Sequence, residues 1–504
     1  MLILPEPDAF AARYASGAAQ VVWTTLVADL ETPVSAMLKV AGGRPNAFLF
    51  ESVEGGAVRG RYSMIGFAPD VVLRCQDGNA AINRRALEAA DAFEPIEARP
   101  LEALRALIAE SSIALPAELP PMCAGLFGYL GYDMVREMER LGPPNPDAIG
   151  VPDAVMIRPT IVLVFDAVRD EITIVTPVRP REGISAETAL ARATDRLTEV
   201  VEALERPLPH DGAARLDAPP PLAVSNTTRD EYAAMVLRAK EYIAAGDVFQ
   251  VVLSQRFESE FDLPAFSLYR ALRRVNPAPF LVFLDLGGFQ IVCSSPEILV
   301  RVRDGKVTIR PLAGTRPRGK DAAEDQRLSE ELLADPKELA EHLMLLDLGR
   351  NDVGRVAEIG TVEVTAQFFL EYYSHVMHIV SNVEGRLDRA YDVVDALAAG
   401  FPAGTVSGAP KIRAMEIIDE LEKEKRGVYA GVIGYFGATG TMDTCIVLRT
   451  AVVKDGRMFV QAGAGIVADS VPENEQAECV NKAKALFRAA EEAVRFAAAS
   501  RRGQ

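Results

Sequence analysis

Two pairs of glutamates have the types and spacing that could bind a cation. Glu338 and Glu341 belong to ELAE, and Glu475 and Glu478 belong to EQAE. A spacing of three residues places two side chains on one face of a helix. Two carboxylates about 4 Å apart repel by roughly 4 kcal/mol at an effective dielectric constant of 20, so converging pairs need a cation. An all-oxygen site of this type suits Mg²⁺.

Both pairs lie in segments with helical signals. Asp335 is a favourable N-cap and Pro336 suits a first helical position, so a helix is expected to begin there and to end near Gly349. A second helix is expected to begin near Pro472. If the two helices do not converge, both pairs are ordinary solvated helix faces, and the sequence leaves that alternative open.

Three loops have the composition of anion sites. RPLAGTRPRG, residues 310–319, contains three arginines, while FPAGTVSGAPK (401–411) and GAGIVA (463–468) are rich in glycine. Bare backbone N–H groups can approach an anion closely. FPAGTVSGAPK lacks the spacing of a nucleotide phosphate loop. GAGIVA fits a relaxed G-x-G-x-x-A pattern, but Pro472 delays the helix that would receive a pyrophosphate, which argues against dinucleotide binding. A solvated basic turn is the alternative for residues 310–319.

Three of the four histidines fall between positions 342 and 378. SHVMHIVSNV has the pattern of a strand, so His375 and His378 are expected on opposite faces and do not form a metal-binding pair. One of them can be a general acid or base. The alternative is a histidine with a purely structural role.

Composition excludes several classes of protein. Among 504 residues, 54 Lys and Arg against 71 Asp and Glu give a net charge of −17, which disfavours nucleic acid and anionic membranes as partners. The five cysteines show no C-x-x-C spacing, which argues against a disulfide framework and fits a reducing cytoplasm. No export signal and no apolar run long enough for a membrane span are visible.

Alternating apolar segments, helical segments and short polar turns predict an α+β fold with antiparallel sheet. KVTIRPL and TCIVLRTAVV are each expected to form one strand. A proline-rich seam at residues 206–225 has neither helical nor strand period. We expect it to link an N-terminal domain, residues 1–205, to a C-terminal domain, residues 226–504.

Segments along almost the whole chain resemble the chorismate-utilising enzymes, and most closely the component I branch of the anthranilate synthases. In chain order they are LFESVE, GLFGYLGYD, GDVFQVVLSQRF, NPAPF, SSPE, PLAGTRPRG, ELAEHLMLLDLGRND, VMHIVSNVEG, FPAGTVSGAPK, RGVYAGVIGY, QAGAGIVADSVPENEQAE and NKA. A dozen segments in one order are far more specific than any one of them. The resemblance implies intertwined antiparallel β-sheets, a sandwich flanked by helices.

The resemblance implies a site for Mg²⁺ and for chorismate. Glu341 and Glu478 would ligate the metal directly, with Glu338 and Glu475 in support, and the metal would hold the ring carboxylate of chorismate. The residues implied to contact the substrate are Gly314, Thr315 and Lys482 at the ring carboxylate, and Tyr429, Arg449, Gly463, Ala464 and Gly465 at the enolpyruvyl carboxylate. A planar guanidinium is the best single partner for a carboxylate.

The resemblance also implies catalytic roles. Glu297 of SSPE would be the general acid that protonates the departing C4 hydroxyl as ammonia adds at C2, and it would need a raised pKa. His378 would take part in the later loss of pyruvate. Thr405 lies in the loop that would line the same pocket.

Two positions separate the branches of the family. In the isochorismate branch a lysine that activates water stands at the position of Gln250, and in the aminodeoxychorismate branch a lysine that attacks C2 stands at the position of Ala313. Since neither amine is present, ammonia itself is expected to attack C2 and to give anthranilate and pyruvate. Aminodeoxychorismate synthase component I and an inactive tryptophan-sensing scaffold are the alternatives.

The source of ammonia is expected to be a partner. None of the cysteines lies in a glycine-flanked nucleophile turn, so the chain lacks the signature of a glutaminase. We expect it to pair with a separate glutamine amidotransferase subunit, component II, in a heterotetramer.

Inhibition by tryptophan is a further implication of the resemblance. The residues implied to bind tryptophan are Glu51, Ser52, Pro279, Phe280, Leu281, Ile433, Tyr435 and Cys445. The family usually has NPSPYM where this chain has NPAPFL, so Ala278, Phe280 and Leu281 are departures.

Overall fold

The protein is represented by a computed structural model that describes residues 1–54, 58–209, 221–373 and 376–499. The helices in these ranges are α1 Pro7–Ala15, α2 Pro33–Val40, α3 Pro100–Glu110, α4 Ala186–Glu205, α5 Arg229–Ala245, α6 Ala265–Val275, α7 Ala322–Ala334, α8 Pro336–Gly354, α9 Val393–Gly400, α10 Lys411–Leu421 and α11 Pro472–Ala499. Short 3₁₀ turns cover Pro121–Cys123, Tyr132–Glu137 and Gly404–Val406.

The strands in the first half of the chain are β1 Gln20–Val27, β2 Ala47–Glu54, β3 Val58–Gln76, β4 Asn79–Asn83, β5 Glu94–Ile96, β6 Gly125–Leu130, β7 Ala154–Asp166 and β8 Glu171–Val178. Those in the second half are β9 Val224–Ser225, β10 Gln250–Glu260, β11 Phe280–Asp285, β12 Gln290–Ser295, β13 Ile298–Arg303, β14 Lys306–Ile309, β15 Leu312–Pro317, β16 Glu363–Tyr372, β17 Val376–Arg386, β18 Gly408–Ala409, β19 Val432–Gly437, β20 Met442–Ile446, β21 Thr450–Lys454 and β22 Arg457–Ile466.

These strands pair antiparallel, for example β1 with β8, β3 with β7 and β10 with β22. Helices pack on the outside of the sheets, as α11 does on β22 and α4 on β8. The predicted α+β class is confirmed. No helix in the described part of the chain is long and apolar enough to cross a membrane.

Strands from the two halves of the chain pair with each other. β2 lies beside β11 with Phe50 opposite Val282, and β6 lies beside β19 with Phe127 opposite Tyr435. Between the sheets lies a core to which both halves contribute, where the rings of Phe48 and Phe127 stack at 4.4 Å. The sheets are therefore intertwined, as expected.

The division into two domains stays a prediction. Helix α4 ends at Glu205, where the expected linker begins, and residues 210–220 lie outside the described ranges. Residues 224 and 225 form β9, which pairs with β10, so the end of the expected linker is part of a sheet.

Helix α4 shows how the sequence determines the start of a helix and the face that packs on the sheet. Ser185 caps it by accepting the N–H of Thr188. Its buried residues recur on one stripe and are Ala189, Ala193, Leu197, Val200 and Leu204. Burial of one such leucine contributes about 2 kcal/mol, so the stripe fixes the helix on the sheet.

Helix α8 begins as expected but ends later. Asp335 accepts the N–H groups of Lys337 and Glu338, as an N-cap should, yet the helix continues past Gly349 to Gly354. A β-carbon on Gly349 would lie 3.2 Å from Cγ of Pro311. The glycine therefore allows the helix to pass close to Pro311, and the expectation that it ends the helix is wrong.

Two expected strands are each broken in two. KVTIRPL is divided between β14 and β15, and TCIVLRTAVV is divided between β20 and β21. Arg449 lies in the second break with a left-handed φ of 47°, which is uncommon for a residue with a side chain. The expectation of continuous strands is wrong: β20 pairs with β13 whereas β21 pairs with β12, and residues 310 and 311 separate β14 from β15.

Candidate active site

A cavity of about 920 Å³ collects most of the residues implied by the sequence. It is lined by Glu297, Gly314, Thr315, Glu338, Glu341, His378, Thr405, Tyr429, Arg449, Gly463, Gly465, Glu475, Glu478 and Lys482. Ala464 is the exception, because its side chain is fully buried in the hydrophobic core between two neighbours that face the cavity. A side-chain contact from Ala464 to a ligand is therefore excluded.

Glu297 is a buried acid. Only 4% of the residue is exposed, and burial raises the pKa of its carboxyl to about 8, although the Thr405 hydroxyl acts in the opposite direction. That hydroxyl donates to Glu297 Oε1 at 3.0 Å. At neutral pH the carboxyl is mostly protonated, so it can donate a proton to a leaving group in the cavity.

His378 is a buried neutral base. Its Nδ1 lies 3.2 Å from the carbonyl oxygen of Gly314 and 3.0 Å from the hydroxyl of Thr315. A carbonyl can only accept, so Nδ1 carries the hydrogen and Nε2 carries the lone pair. Burial, with the charge of Arg449, lowers the pKa of His378 to about 4.

The other ring nitrogen of His378 has no partner among the described residues, although it is buried. Unpaired buried polar atoms are rare in proteins and point to a function or to a missing ligand. Since His378 lines the cavity, its Nε2 is available to a substrate. His375 lies outside the described residues, so its expected orientation is not tested.

A bulge in β15 shapes the wall next to His378. The register between β15 and β17 shifts between Ala313 and Thr315, and Gly314 adopts a left-handed φ of 78°. A side chain on Gly314 would be strained there and would lie 3.1 Å from Ile379. The bulge turns Thr315 toward His378 and leaves the small Ala313 in the cavity wall.

The arginines of residues 310–319 are neutralised by acidic side chains. Arg310 bonds to Glu371, Arg316 to Asp335 at 2.8 Å, and Arg318 to Asp325 at 3.0 Å. They are not free to bind an anion. The cavity is therefore served by the backbone of this loop and not by its charges.

Arg449 is a buried cation that faces the cavity without an acidic partner among the described residues. No ion pair to it is found within residues 1–54, 58–209, 221–373 and 376–499, and burial lowers the pKa of its guanidinium. Arginine stays charged at neutral pH, so a buried guanidinium without a carboxylate is a site for an anionic ligand. Tyr429 lies beside Gly463, where a β-carbon would come within 2.9 Å of the tyrosine hydroxyl.

The two acidic helices converge. Burial raises the pKa of Glu341, and the charges of Glu338 and Glu478 raise it further. The pKa of Glu475 is likewise raised by burial and then by Glu478. Carboxylates on α8 and α11 thus line one cavity, and Glu478 is close enough to affect the pKa of Glu341. Glu478 also forms the i,i+4 pair with Lys482 that is expected of a solvated helix face.

Each of three carboxylates has a protein partner. Glu338 accepts from Arg316 at 3.0 Å, Glu478 pairs with Lys482 at 2.7 Å, and Glu341 accepts from Gln250 at 3.3 Å. No compact group of three ligands is formed in the described residues. Glu338, Glu341, Glu475 and Glu478 nevertheless line one cavity, and their carboxylate oxygens are the type of donor that Mg²⁺ prefers.

A second cavity of about 750 Å³ lies beside the first. Of the residues implied for tryptophan, it is lined by Glu51, Ser52, Pro279, Phe280, Ile433, Tyr435 and Cys445. Leu281 is buried in the core on the opposite face of β11, because neighbours in a strand alternate. The expectation that Leu281 lines this site is wrong.

The carboxylate of Glu51 is already bound to α6. It accepts from Arg273 at 2.7 and 2.9 Å and also from the hydroxyl of Tyr269. The strand register places Glu51 opposite Leu281, on the face that α6 covers. Glu51 therefore anchors the cavity wall, and its charge is not free for a ligand.

The sequence singled out neither Tyr373, which lines the site, nor Arg426, which lines neither cavity. Tyr373 lines both cavities, and its ring meets His378 edge-on at 5.5 Å. It belongs to no recognised segment, so nothing pointed to it. Arg426 opens the segment RGVYAGVIGY but carried no assigned role.

The fold and the cavity define a chorismate-binding enzyme. The family model described as chorismate binding enzyme matches residues 46–488, and the chain belongs to this family. The anthranilate synthase component 1 of Cereibacter sphaeroides is 56% identical over 490 residues, which are 97% of this chain and 98% of that protein. That of Thermus thermophilus is 49% identical and covers 93% of this chain and 97% of its own.

Solved structures agree. The crystal structure of anthranilate synthase component I from Streptococcus pneumoniae is 40% identical, has a TM-score of 0.75 and covers 85% of this chain and 92% of its own. The menaquinone-specific isochorismate synthase of Escherichia coli has a TM-score of 0.70 at 20% identity and covers 94% of this chain and 95% of its own, so it shows the fold alone.

Proposed function

We propose that the chain is the chorismate-converting component of an anthranilate synthase, which forms anthranilate and pyruvate from chorismate and ammonia. The observation that carries the proposal is a cavity with a buried acid, a buried neutral base and an unpaired arginine, and without an amine at Gln250 or Ala313. The high identity to named anthranilate synthase components supports it.

Chorismate would be held through its two carboxylates. Arg449 supplies the charge for the enolpyruvyl carboxylate, and Tyr429 with the Gly463 to Gly465 strand supplies the wall behind it. Glu341 and Glu478 would hold Mg²⁺, supported by Glu338 and Glu475. When bound, that ion would neutralise the charge of the ring carboxylate and make the carboxylate a better acceptor of electron density from the ring.

The first step adds ammonia at C2 of chorismate as the bond between C4 and its hydroxyl oxygen breaks. Glu297 gives its proton to the leaving oxygen, so water departs and not hydroxide. The proton lost by the new ammonium group at C2 returns the acid to its starting state. The product of this step is 2-amino-2-deoxyisochorismate.

The second step removes the enolpyruvyl group. The lone pair on Nε2 of His378 takes the proton from C2, the bond between C3 and the ether oxygen breaks, and the ring becomes aromatic. Pyruvate leaves in its enol form and takes up a proton. Thr315 and the carbonyl of Gly314 hold the imidazole in the tautomer that this step requires.

A fluorescence assay tests the proposal. The purified chain with chorismate, Mg²⁺ and ammonium should form anthranilate, and omission of Mg²⁺ should abolish the signal. A 4-amino product in place of anthranilate would identify an aminodeoxychorismate synthase component. Tryptophan binding without turnover would identify an inactive scaffold.

We further propose a separate glutamine amidotransferase subunit as the source of ammonia, in a heterotetramer. In its absence the chain should use ammonium but not glutamine. Co-expression with such a subunit should add glutamine-dependent turnover and a larger species in size-exclusion chromatography. All five cysteines are free and buried, which agrees with an enzyme of the reducing cytoplasm.

We also propose that the second cavity binds tryptophan as a feedback inhibitor. Its apolar wall includes Phe280 and Ile433, and the Ser52 hydroxyl there donates to the carbonyl of Tyr62 at 3.1 Å. Ser52→Phe should place a phenyl ring in the space that the inhibitor needs. The tryptophan concentration that gives half-maximal inhibition should therefore rise at least about tenfold. Unchanged inhibition in this variant would place the inhibitor elsewhere.

A further inference from the structure

Glu422 and Arg426 form an ion pair in the interior of the protein. The two side chains are 4% and 1% exposed, and neither residue lines the cavity. Arg426 Nε donates to Glu422 Oε2 at 2.9 Å, and Nη2 donates to Oε1 at 2.6 Å. A buried ion pair often contributes little net stability, so its remaining contacts indicate its role.

The guanidinium of Arg426 also holds two backbone carbonyls. Nη1 donates to Val406 at 2.6 Å, and Nη2 donates to Val252 at 2.7 Å. Val406 ends the 3₁₀ turn Gly404–Val406, and Val252 lies in β10. One arginine thus bonds both the turn and β10, in addition to the backbone bond from the N–H of Val252 to the carbonyl of Ser407 at 2.9 Å.

The pair is itself held in place. Glu422 Oε1 accepts both the N–H and the hydroxyl of Ser254 at 2.8 Å. The guanidinium lies over the rings of Tyr132 and Tyr429, at 4.8 and 5.6 Å from their centres. The cation is therefore fixed by β10 and two tyrosines, and its direction toward the turn is set.

We propose that the Glu422–Arg426 ion pair positions the general acid, by holding the turn Gly404–Val406 so that the Thr405 hydroxyl stays bonded to Glu297. Arg426 acts through Thr405 and does not contact the substrate. This inference rests on the proposed amination of chorismate, in which Glu297 donates the proton.

Arg426→Lys separates the charge from the geometry. Lysine keeps the positive charge but lacks the planar fork, so it cannot bond Glu422 and both carbonyls together. Release of the turn removes the Thr405 hydroxyl from Glu297, and that bond favours the ionised carboxylate. Its loss raises the pKa of Glu297 further, so the acid stays protonated to higher pH.

The experiment compares kcat across neutral and alkaline pH for wild type and Arg426→Lys, with Mg²⁺, saturating chorismate and constant free ammonia. The alkaline limb, which is the part of the profile where kcat falls with rising pH, should move to higher pH by about half a unit or more. The maximal kcat should fall about tenfold because the acid is misplaced. An unshifted limb in a folded variant would overturn the proposal.

Arg158→Lys is the matched control. Arg158 is also buried and bidentate, with bonds of 2.8 and 3.0 Å to Asp70, and it lines neither cavity. The control should lower the melting temperature and leave the alkaline limb unmoved. An equal shift in both variants would show that any loss of a buried arginine has this effect, and would overturn the proposal.

Thr405→Val tests whether Arg426 acts on Glu297 through the hydroxyl of Thr405. It should reproduce the upward shift, and adding Arg426→Lys to it should cause no further shift, since the hydroxyl is already absent. Additive shifts would overturn the proposal. If circular dichroism shows Arg426→Lys to be unfolded, Glu422→Asp gives the same test, because it keeps the charge but its shorter side chain withdraws the carboxylate from Arg426.

The two proposals fail separately. Wild type that forms no anthranilate would refute the proposed function. Normal turnover by wild type with an unshifted limb in folded Arg426→Lys would refute only the role of the ion pair.

Discussion

The two cavities lie side by side but differ in how their charged side chains are paired. In the second cavity the charged groups are paired: Arg301 bonds to Asp443 at 3.0 Å and Arg61 to Asp166 at 2.8 Å. In the first, Arg449 has no acidic partner among the described residues and Nε2 of His378 has none of any kind. Oδ1 of Asp443, in the second cavity, also has no partner among the described residues, but Asp443 is neutralised by Arg301. The difference is therefore one of charge: the first cavity contains a buried cation without a carboxylate, which suits an anionic ligand.

A shared wall joins the cavities. Glu297 and Tyr373 line both, so the proposed general acid stands between the proposed substrate and the proposed inhibitor. The difference between the cavities indicates that the first is built for reaction and the second for recognition. The following predictions test that difference.

Glu297→Gln should have the largest effect. The amide has nearly the same shape but cannot release a proton, so kcat should fall by about 10³-fold. The melting temperature at neutral pH should not fall, because a buried ionisable group is replaced by a neutral one. Anthranilate fluorescence and differential scanning calorimetry measure both. A loss below about tenfold would remove Glu297 from the role of general acid.

Arg449→Met should have the second largest effect, and it should show how the two cavities differ. Without the guanidinium the enolpyruvyl carboxylate loses its partner, and KM for chorismate should rise by about 100-fold. Stability should be unchanged or higher, since an unpaired buried cation is lost. Arg301→Met, in the second cavity, should instead lower stability and leave KM nearly unchanged. Similar KM values in the two variants would contradict the distinction.

The pH dependence of wild type should reflect Glu297. Its pKa of about 8 lies above the ordinary value for Glu, and the protonated form is the active one, so kcat should fall about tenfold per unit as pH rises above about 8. The free energy of unfolding should also decrease as pH rises, because the carboxyl ionises at a lower pH in the unfolded chain than in the folded protein. The decrease should lie between about pH 4.3 and about 8. Glu297→Gln should lack that decline in thermal melts at several pH values.

Local signals in the sequence predicted the elements well where one element carries the information. Asp335 and Pro336 defined the start of α8, and Pro472 defined the start of α11, because caps and first-turn prolines act within a few residues. The prediction from Gly349 is wrong, because this glycine allows close packing and does not end the helix: a β-carbon there would lie 3.2 Å from Cγ of Pro311. A glycine required by packing has the same local appearance as one that ends a helix.

Strand breaks were the other local failure. TCIVLRTAVV is apolar except for Thr444, Arg449 and Thr450, and it contains no glycine, proline or asparagine that would mark the left-handed turn at Arg449. The turn is imposed by the pairing of β20 with β13 and β21 with β12, which lie in different parts of the chain.

The site itself was recognised by motifs and not by local physics. Types and spacing alone indicated two acidic faces and an anion loop, and the order of the segments supplied the roles of Glu297 and His378. Side-chain direction was predictable only through alternation: Ala464 and Leu281 belong to recognised segments but face the core.

The sequence by itself determined the family, the α+β class and the residue types available for chemistry, because these depend on local pattern and order. Only the tertiary structure decided that the acidic helices converge, that Glu297 is protonated at neutral pH, that Glu51 is bound by Arg273, and that Arg426 holds the turn of Thr405. The reason is physical: desolvation and charge coupling depend on neighbours brought from distant parts of the chain.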